Sequence, residues 1–289
     1  MTRRRRRAWT APLALLGALG VAVAGVVVAL DALDGGTVVG ERCTAELDGT
    51  TYALSPTQSD NAALVVGATV RRGLPARAAT IGIATALQES KLVNIDYGDR
   101  DSVGLFQQRP SQGWGTVDQI MDPLYSTDAF LDVLVEVEGY EALEITDAAQ
   151  RVQRSGFPDA YAQHETRARA WASSLSGYSP ATLTCELREP EGPGSADELL
   201  ARAARDLGTV PSSVAEDGAV VLDATALPGG SDAGRLGWAV AQWAVAVASP
   251  QRVTGVAVAD RTWERDGGGW EPSGTPALPA GQVRVTLAG

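Results

Sequence analysis

Histidine is nearly missing from this chain, and cysteine is scarce. The 289 residues hold one histidine, His164, and two cysteines, Cys43 and Cys185. So few imidazole and thiolate donors argue against a His-containing catalytic triad, a zinc site or an iron–sulfur cluster. Neither a metal nor an organic cofactor is expected. Basic residues are short as well: 24 Lys and Arg stand against 35 Asp and Glu, for a net charge of −11. Five of the 24 form the run Arg3–Arg7, so the rest of the chain is more acidic still. A nucleic-acid partner needs a basic face for its phosphates, and none is expected here. Charged residues make up 20% and hydrophobic residues 45%, a globular balance rather than a disordered one. The length suits one large domain or two modest ones.

The arginine run is followed by an apolar stretch, Ala8–Leu30, with no charge before Asp31. That is long enough to cross a bilayer. Arginines in front of it place the N-terminus in the cytoplasm, with Trp9 at the interface. A cleaved signal peptide is the competing expectation. The apolar run is longer than a usual signal core, and Leu30 spoils the small-x-small pattern near Ala32. Residues 1–35 are therefore expected to be a single-pass anchor in the cell membrane, with the body on the extracellular or cell-wall side. Either way the body is exported. In an oxidising compartment Cys43 and Cys185 are expected to pair, two buried thiols being the alternative.

Between the cysteines the periodicity is helical. Ser59-Asp60 can cap a helix through Ala62–Arg72 that stops at Gly73. Ala76 to about Ser90 gives a second helix, apolar on one face, with Pro75 at its start. Thr116 can start a short one to Met121, Ser126–Thr127 a longer one, and Thr146 another that Gly156 closes. Pro158 can start the last, through Trp171 to Leu175. The polar loop Asn94–Ser102 could hold a short hairpin. Leu187–Ala196, with two prolines and two glycines amid charges, reads as a linker. Beyond it come a helix over Ala196–Leu207, a strand over Ala219–Leu222 and a helix over Leu236–Ala248. Strands over Val253–Ala259, Trp263–Arg265 and Gln282–Leu287 follow, with a turn at Asp266–Gly269. The tryptophans of this segment are read as core rather than as a ligand platform.

Glu89 stands at the end of the apolar helix. A carboxyl group there loses solvation, which disfavours its charge and raises its pKa. Such a group can hold a proton near neutrality and deliver it to a departing glycosidic oxygen. A surface glutamate that merely ends a helix is the plain alternative. The order of residues around it adds weight. Glu89-Ser90 is followed by a polar loop and then by Gly104-Leu105-Phe106-Gln107-Gln108, about fifteen residues on. Ala148–Gly156 and Pro158-Asp159-Ala160-Tyr161 come later. This order resembles the lysozyme-like lytic transglycosylase group, which has Glu-Ser, a Gly-Leu-Met-Gln-like segment and then a segment rich in Ala, Tyr, Asn and Gly. Phe106 replaces the usual Met, and the usual Tyr-Asn pair is absent. The resemblance spans roughly Ser55–Ser176.

The resemblance implies a mainly α lysozyme-like domain over 43–186. With the periodicities it gives the expected architecture: an N-terminal transmembrane helix, that domain, a linker at 187–196 and a small α+β domain over 197–289. It further implies cleavage of peptidoglycan glycan strands, with Glu89 as both acid and base. Asp96, Asp99 and Asp101 are the nearby candidates for a second carboxylate, Asp99 and Asp101 foremost, which a hydrolytic muramidase would need. Asp99 and Asp101 alternate with Arg100, so an ion-paired loop accounts for them at least as readily. Gln107 and Gln108 could bind sugar hydroxyls or tie a loop to backbone. Trp114, between two glycines, could stack on a sugar or sit in the core, and Tyr161 is read as facing the cleft. Ser90 could meet Glu89 or substrate, or cap the helix. His164 is read as a solvated surface residue. A non-catalytic, membrane-anchored scaffold that grips glycan is the rival reading, with the C-terminal segment free to contact wall polymer or an envelope protein.

Overall fold

In the computed structural model, which describes residues 40–228 and 230–289, Ser55 rather than Ser59 starts the first helix. Its hydroxyl accepts from the Gln58 amide at 3.3 Å, and the Gln58 side chain accepts from the Ser55 amide at 2.9 Å. This reciprocal cap, with Pro56 at the first position, satisfies two otherwise orphaned donors. The helix, α1, runs Pro56–Arg71, and α2 runs Ala76–Ser90. Both are buried for most of their length. Around them lie α3 (Val117–Met121), α4 (Pro123–Val135), α5 (Ile145–Gln153), a 3-10 segment at Pro158–His164, and α6 (Glu165–Leu175). Thr116 caps α3 as expected. Asp122 caps α4, where Ser126 had been expected, because its carboxylate accepts from the Leu124 amide at 2.9 Å. Thr146 lies inside α5 and donates to Pro158 O instead. Residues 94–102 hold no strand.

The expected mainly α architecture is overturned. The protein is α+β, with nine helices and two antiparallel sheets among the described residues, 45% helical and 17% strand. The first sheet, wholly absent from the sequence reading, contains β1 (Arg42–Leu47), β2 (Thr50–Leu54) and β3 (Leu183–Glu186), in the order β2-β1-β3. Asp48 and Gly49, both at positive φ, make the two-residue turn whose twist suits a hairpin. β1 and β3 come from opposite ends of the helical run, so this sheet closes it. Cys43 lies opposite Cys185 in that register, and the expected disulfide joins them. The expected anchor at residues 1–35 lies outside the described residues, and no described helix is long and apolar enough to cross a membrane.

The second sheet contains β4 (Ser212–Val214), β5 (Val220–Asp223), β6 (Val253–Val258), β7 (Arg261–Glu264), β8 (Trp270–Pro272) and β9 (Gln282–Leu287), in the order β4-β5-β9-β6-β7-β8. With it come α7 (Ala196–Leu207), capped by Ser195, α8 (Ala233–Ala246) and the short α9 (Ala248–Gln251). Residues 41–289 form one compact unit. Trp243 of α8 and Trp263 of β7 are fully buried, as expected of core tryptophans.

Polar groups stitch the second half to the first. Asp206 of α7, wholly buried, accepts from Arg202 at 2.7 Å, Arg205 at 2.9 Å and the Trp243 indole at 3.0 Å. Arg202 also meets Asp60 of α1 at 2.7 Å. Gln242 of α8, wholly buried, accepts from the Thr182 and Leu183 amides and donates to Ser174 O and Ser179 O. The indoles of Trp263 and Trp270 donate to Thr184 Oγ1 and Leu183 O. Gly177 makes one close approach possible: a Cβ there would meet Arg235 O at 2.0 Å, and its φ is +79°.

Candidate active site

Glu89 is placed by the end of α2. Lys91 adopts the left-handed conformation that stops the helix, at φ 57°. α1 then holds the chain that leaves it. Gln58 Nε2 donates to Lys91 O at 2.7 Å, and Asn61 Nδ2 donates to Leu92 O at 3.0 Å. Ser90 works from within, its hydroxyl 2.7 Å from Leu105 O and 3.1 Å from Ala86 O. The motif Gly104–Gln108 is thereby drawn against the helix end, although it lies far along the chain.

The result is a groove of about 510 Å³ with Glu89 in its lining. Its walls come from Gln88, from Asp99, Arg100 and Ser102, from Gln107, Arg109 and Gln112, and from Gln153–Phe157 with Ala160 and Tyr161. An adjoining hollow of about 440 Å³ contains Trp114 and Val133 and shares Gln112, Gln153 and Arg154 with it. Through these shared residues the hollow adjoins the groove.

The Glu89 carboxyl is half-buried, and its closest partner is neutral. Tyr161 Oη donates to Glu89 Oε1 over 2.7 Å. Burial raises the Glu89 pKa, and the hydrogen bonds from Tyr161 and Gln153 oppose that shift without reversing it. No described cation forms an ion pair with it. The Tyr161 hydroxyl is itself pushed up, first by burial, so it remains a donor throughout the neutral range. Gln153 also donates to Phe106 O at 2.7 Å, which ties α5 to the Gly104–Gln108 segment. A carboxylic acid in this setting can give a proton to a bound oxygen and take one back.

The remaining expected site residues divide. Gln107 lines the groove, but its amide donates to Tyr97 O at 3.2 Å and Gly104 O at 3.3 Å. Gly98 lets it lie there, since a Cβ at 98 would fall 1.9 Å from Gln107 Oε1. Gln108 and Ser90 are buried and do not line the groove. Gln108 Nε2 donates to Ser126 O at 3.0 Å, so both of these serve the scaffold, one of the two readings that the sequence left open for each. Phe106, in the Met position, stacks on Phe130 with ring centroids 4.6 Å apart.

Asp99 lines the groove with its side chain 92% exposed, facing Arg100 at 3.9 Å. Asp101 does not line it. Arg109 holds it at 2.8 Å, the Ser111 amide donates to it, and the Ser111 hydroxyl lies 3.0 Å away. These partners, Arg109 first, hold its carboxyl well below the usual range. Of the two foremost candidates for a second carboxylate, one is thus a loop fastener.

Several residues that line the groove, among them Arg109, Gln112, Gln153 and Phe157, drew no role from the sequence. Gln153 stands within the Ala148–Gly156 segment and lines the groove beside Glu89. Phe157 lines the groove with 78% of its surface exposed, a large apolar side chain left in water. His164, expected in solvent, is half-buried and lies 3.1 Å from Gln88 Oε1. Burial lowers its pKa, so it favours the neutral form. Among the described residues no group of acids, histidines and cysteines could hold a metal ion. No protein-family model matches the chain, and no curated protein matches it either.

Proposed function

We propose that the protein cleaves the glycan strand of peptidoglycan by the lytic transglycosylase route, with Glu89 as the sole acid and base. The observation that carries this reading is the Glu89 carboxyl itself, half-buried in an open groove, raised in pKa and partnered by a neutral phenol. Protonated Glu89 gives its proton to the glycosidic oxygen, and the C1–O bond breaks. The carboxylate left behind takes the proton of the muramic 6-hydroxyl as O6 bonds to C1. The product is a 1,6-anhydro end, and Glu89 returns to its acid form.

This route needs one carboxyl group. A hydrolytic muramidase needs a second to act on water or on the sugar. The engagement of Asp101 by Arg109 and Ser111 supports the first route, and the place of Asp99 in the groove wall is the feature that favours the second. The disulfide fits a body that works outside the reducing cytoplasm. Mass spectrometry of digested wall tests the assignment. Anhydro-muramyl ends are the expected products. Reducing ends alone would make the enzyme a hydrolase, and no new ends would leave a glycan-gripping scaffold.

A further inference from the structure

A separate pocket of about 440 Å³ lies where the chain after β3, the short α9 and the end of β7 meet. It shares no lining residue with the Glu89 groove. Arg188, Arg252 and Arg265 all line it. Arg265 is the only arginine among the described residues that is more than nine-tenths buried, with 7% of its surface exposed. The side chain of Arg202 is nearly as deep, but it meets two carboxylates, Asp60 and Asp206, at 2.7 Å each. Arg265 has no ion pair with any described carboxylate. Main-chain carbonyls hold it instead. Its Nε donates to Arg188 O at 2.6 Å, and its Nη1 donates to Ala248 O at 3.0 Å and Val253 O at 2.9 Å. These bonds staple three segments together and use two of the three nitrogens. Nη2 donates to nothing among the described residues. A buried cation answered only by carbonyl dipoles keeps a desolvation cost that a counter-anion would offset.

Other donors stand in the same pocket. Arg252 has one long ion pair, 3.8 Å from Glu198, and the Ser249 hydroxyl has no described partner. Of the acids in the wall, Glu41 is already engaged: it accepts from the Arg188 guanidinium at 2.9 Å and from the Arg188 amide at 3.1 Å. Glu189 and Glu191 are exposed.

We propose that this pocket binds a single phosphate group, seated on Arg265 Nη2 with Arg252 and Ser249 beside it. A planar carboxylate is matched best by a guanidinium edge with two free nitrogens, which Arg265 does not have. Donors arriving from separate residues suit a tetrahedral oxyanion, whose oxygens point several ways. Glu189, Glu191 and the net charge of −11 repel an extended polyanion, so the ligand is one compact group rather than a nucleic acid. Two sources carry that chemistry, a small soluble phosphate and the phosphate of a lipid headgroup. The site stands apart from the glycan-cleavage reading and does not depend on it.

Calorimetry on the full chain, in a phosphate-free buffer of fixed ionic strength, compares inorganic phosphate, glycerophosphoglycerol and acetate. One site should take inorganic phosphate or the diester about tenfold more tightly than acetate. Binding of inorganic phosphate alone assigns a soluble phosphate, and binding of the diester, alone or beside it, assigns a headgroup. The same ligand should raise the thermal midpoint, which sodium chloride at equal ionic strength should leave unchanged. Arg252→Gln keeps the staple and should weaken binding about fivefold. Arg265→Met removes the seat and should abolish binding. If that variant does not fold, Arg252→Gln combined with Ser249→Ala replaces it, with a larger loss than Arg252→Gln alone. No binding by the wild type, acetate held as tightly as phosphate, or affinity unchanged in the variants overturns the assignment and leaves Arg265 a staple alone. Cleavage of glycan by the wild type is unaffected by either result.

Discussion

The Tyr161 phenol donates to Glu89 Oε1 over 2.7 Å, joining the 3-10 segment at Pro158–His164 to the end of α2. This bond stabilises the carboxylate form and so restrains the rise in pKa that burial causes. In Tyr161→Phe the restraint is gone and the Glu89 pKa rises further. The alkaline limb of the pH–rate profile should then move up by about one pH unit, the equivalent of one lost hydrogen bond. A limb that stays in place would mean that the phenol does not act on Glu89 in solution.

Glu89 should cost stability at neutral pH. Its folded pKa lies above its unfolded one, so below the unfolded value the acid is neutral in both states and nothing is lost. As pH rises through the folded pKa, a charge forms in a desolvated place and stability falls. Glu89→Gln escapes that loss and keeps an oxygen for Tyr161. Its midpoint of thermal unfolding should exceed the wild type by about 2–4 °C at pH 7 and match it near pH 4, a gain of about 1 kcal/mol. A variant equally or less stable than the wild type at pH 7 would contradict the raised pKa.

Asp99 and Asp101 should separate on substitution. Asp99→Asn removes an exposed carboxylate with one long ion pair, so turnover should change less than about threefold. Asp101→Asn leaves Arg109 without its partner and loosens the loop at Ser111, lowering stability while chemistry continues. Loss of turnover by orders of magnitude in Asp99→Asn would assign it the second-carboxylate role and turn the mechanism to hydrolysis.

The stitching between the two halves predicts that they do not come apart. Truncation before Ser195 removes Asp206 and Trp243, strips Arg202 from Asp60, and uncovers apolar surface on α1. The shortened protein should be insoluble or fail to unfold cooperatively. Within the full chain, Asp206→Ala leaves Arg202 buried against half its partners and should cost about 3–5 kcal/mol, read by denaturant titration. A soluble, cooperatively folding product ending at 194 would show that the second half is a detachable module.

Legibility of the chain followed the strength of each local pattern. α7 and β9 begin and end where their periodicities say, because one is strongly amphipathic and the other alternates. The Cys43–Cys185 pairing was legible from compartment and count. β1, β2 and β3 were not read, although Asp48-Gly49 between two Thr- and Leu-bearing runs is a hairpin signal. Their short length lets neighbouring helix signals dominate, and β3 becomes a strand only because β1 arrives beside it. At the site, Glu89 and Tyr161 were legible from motif order. Ser90 and Gln108 were left between two readings because their partners, Leu105 O and Ser126 O, are brought near only by the fold. The separation of Asp99 from Asp101 depends on Ser111 reaching back ten residues, which spacing alone does not reveal.

The central claim is that one carboxyl group, Glu89, does the acid–base work on a glycan strand. The most direct measurement is the clearing rate of purified sacculi by wild-type protein and by Glu89→Gln at matched concentration. The expected result is clearing by the wild type and a loss of about a thousandfold or more in the variant, with the fold intact by circular dichroism. Equal clearing by the two proteins, or none by the wild type, would contradict it.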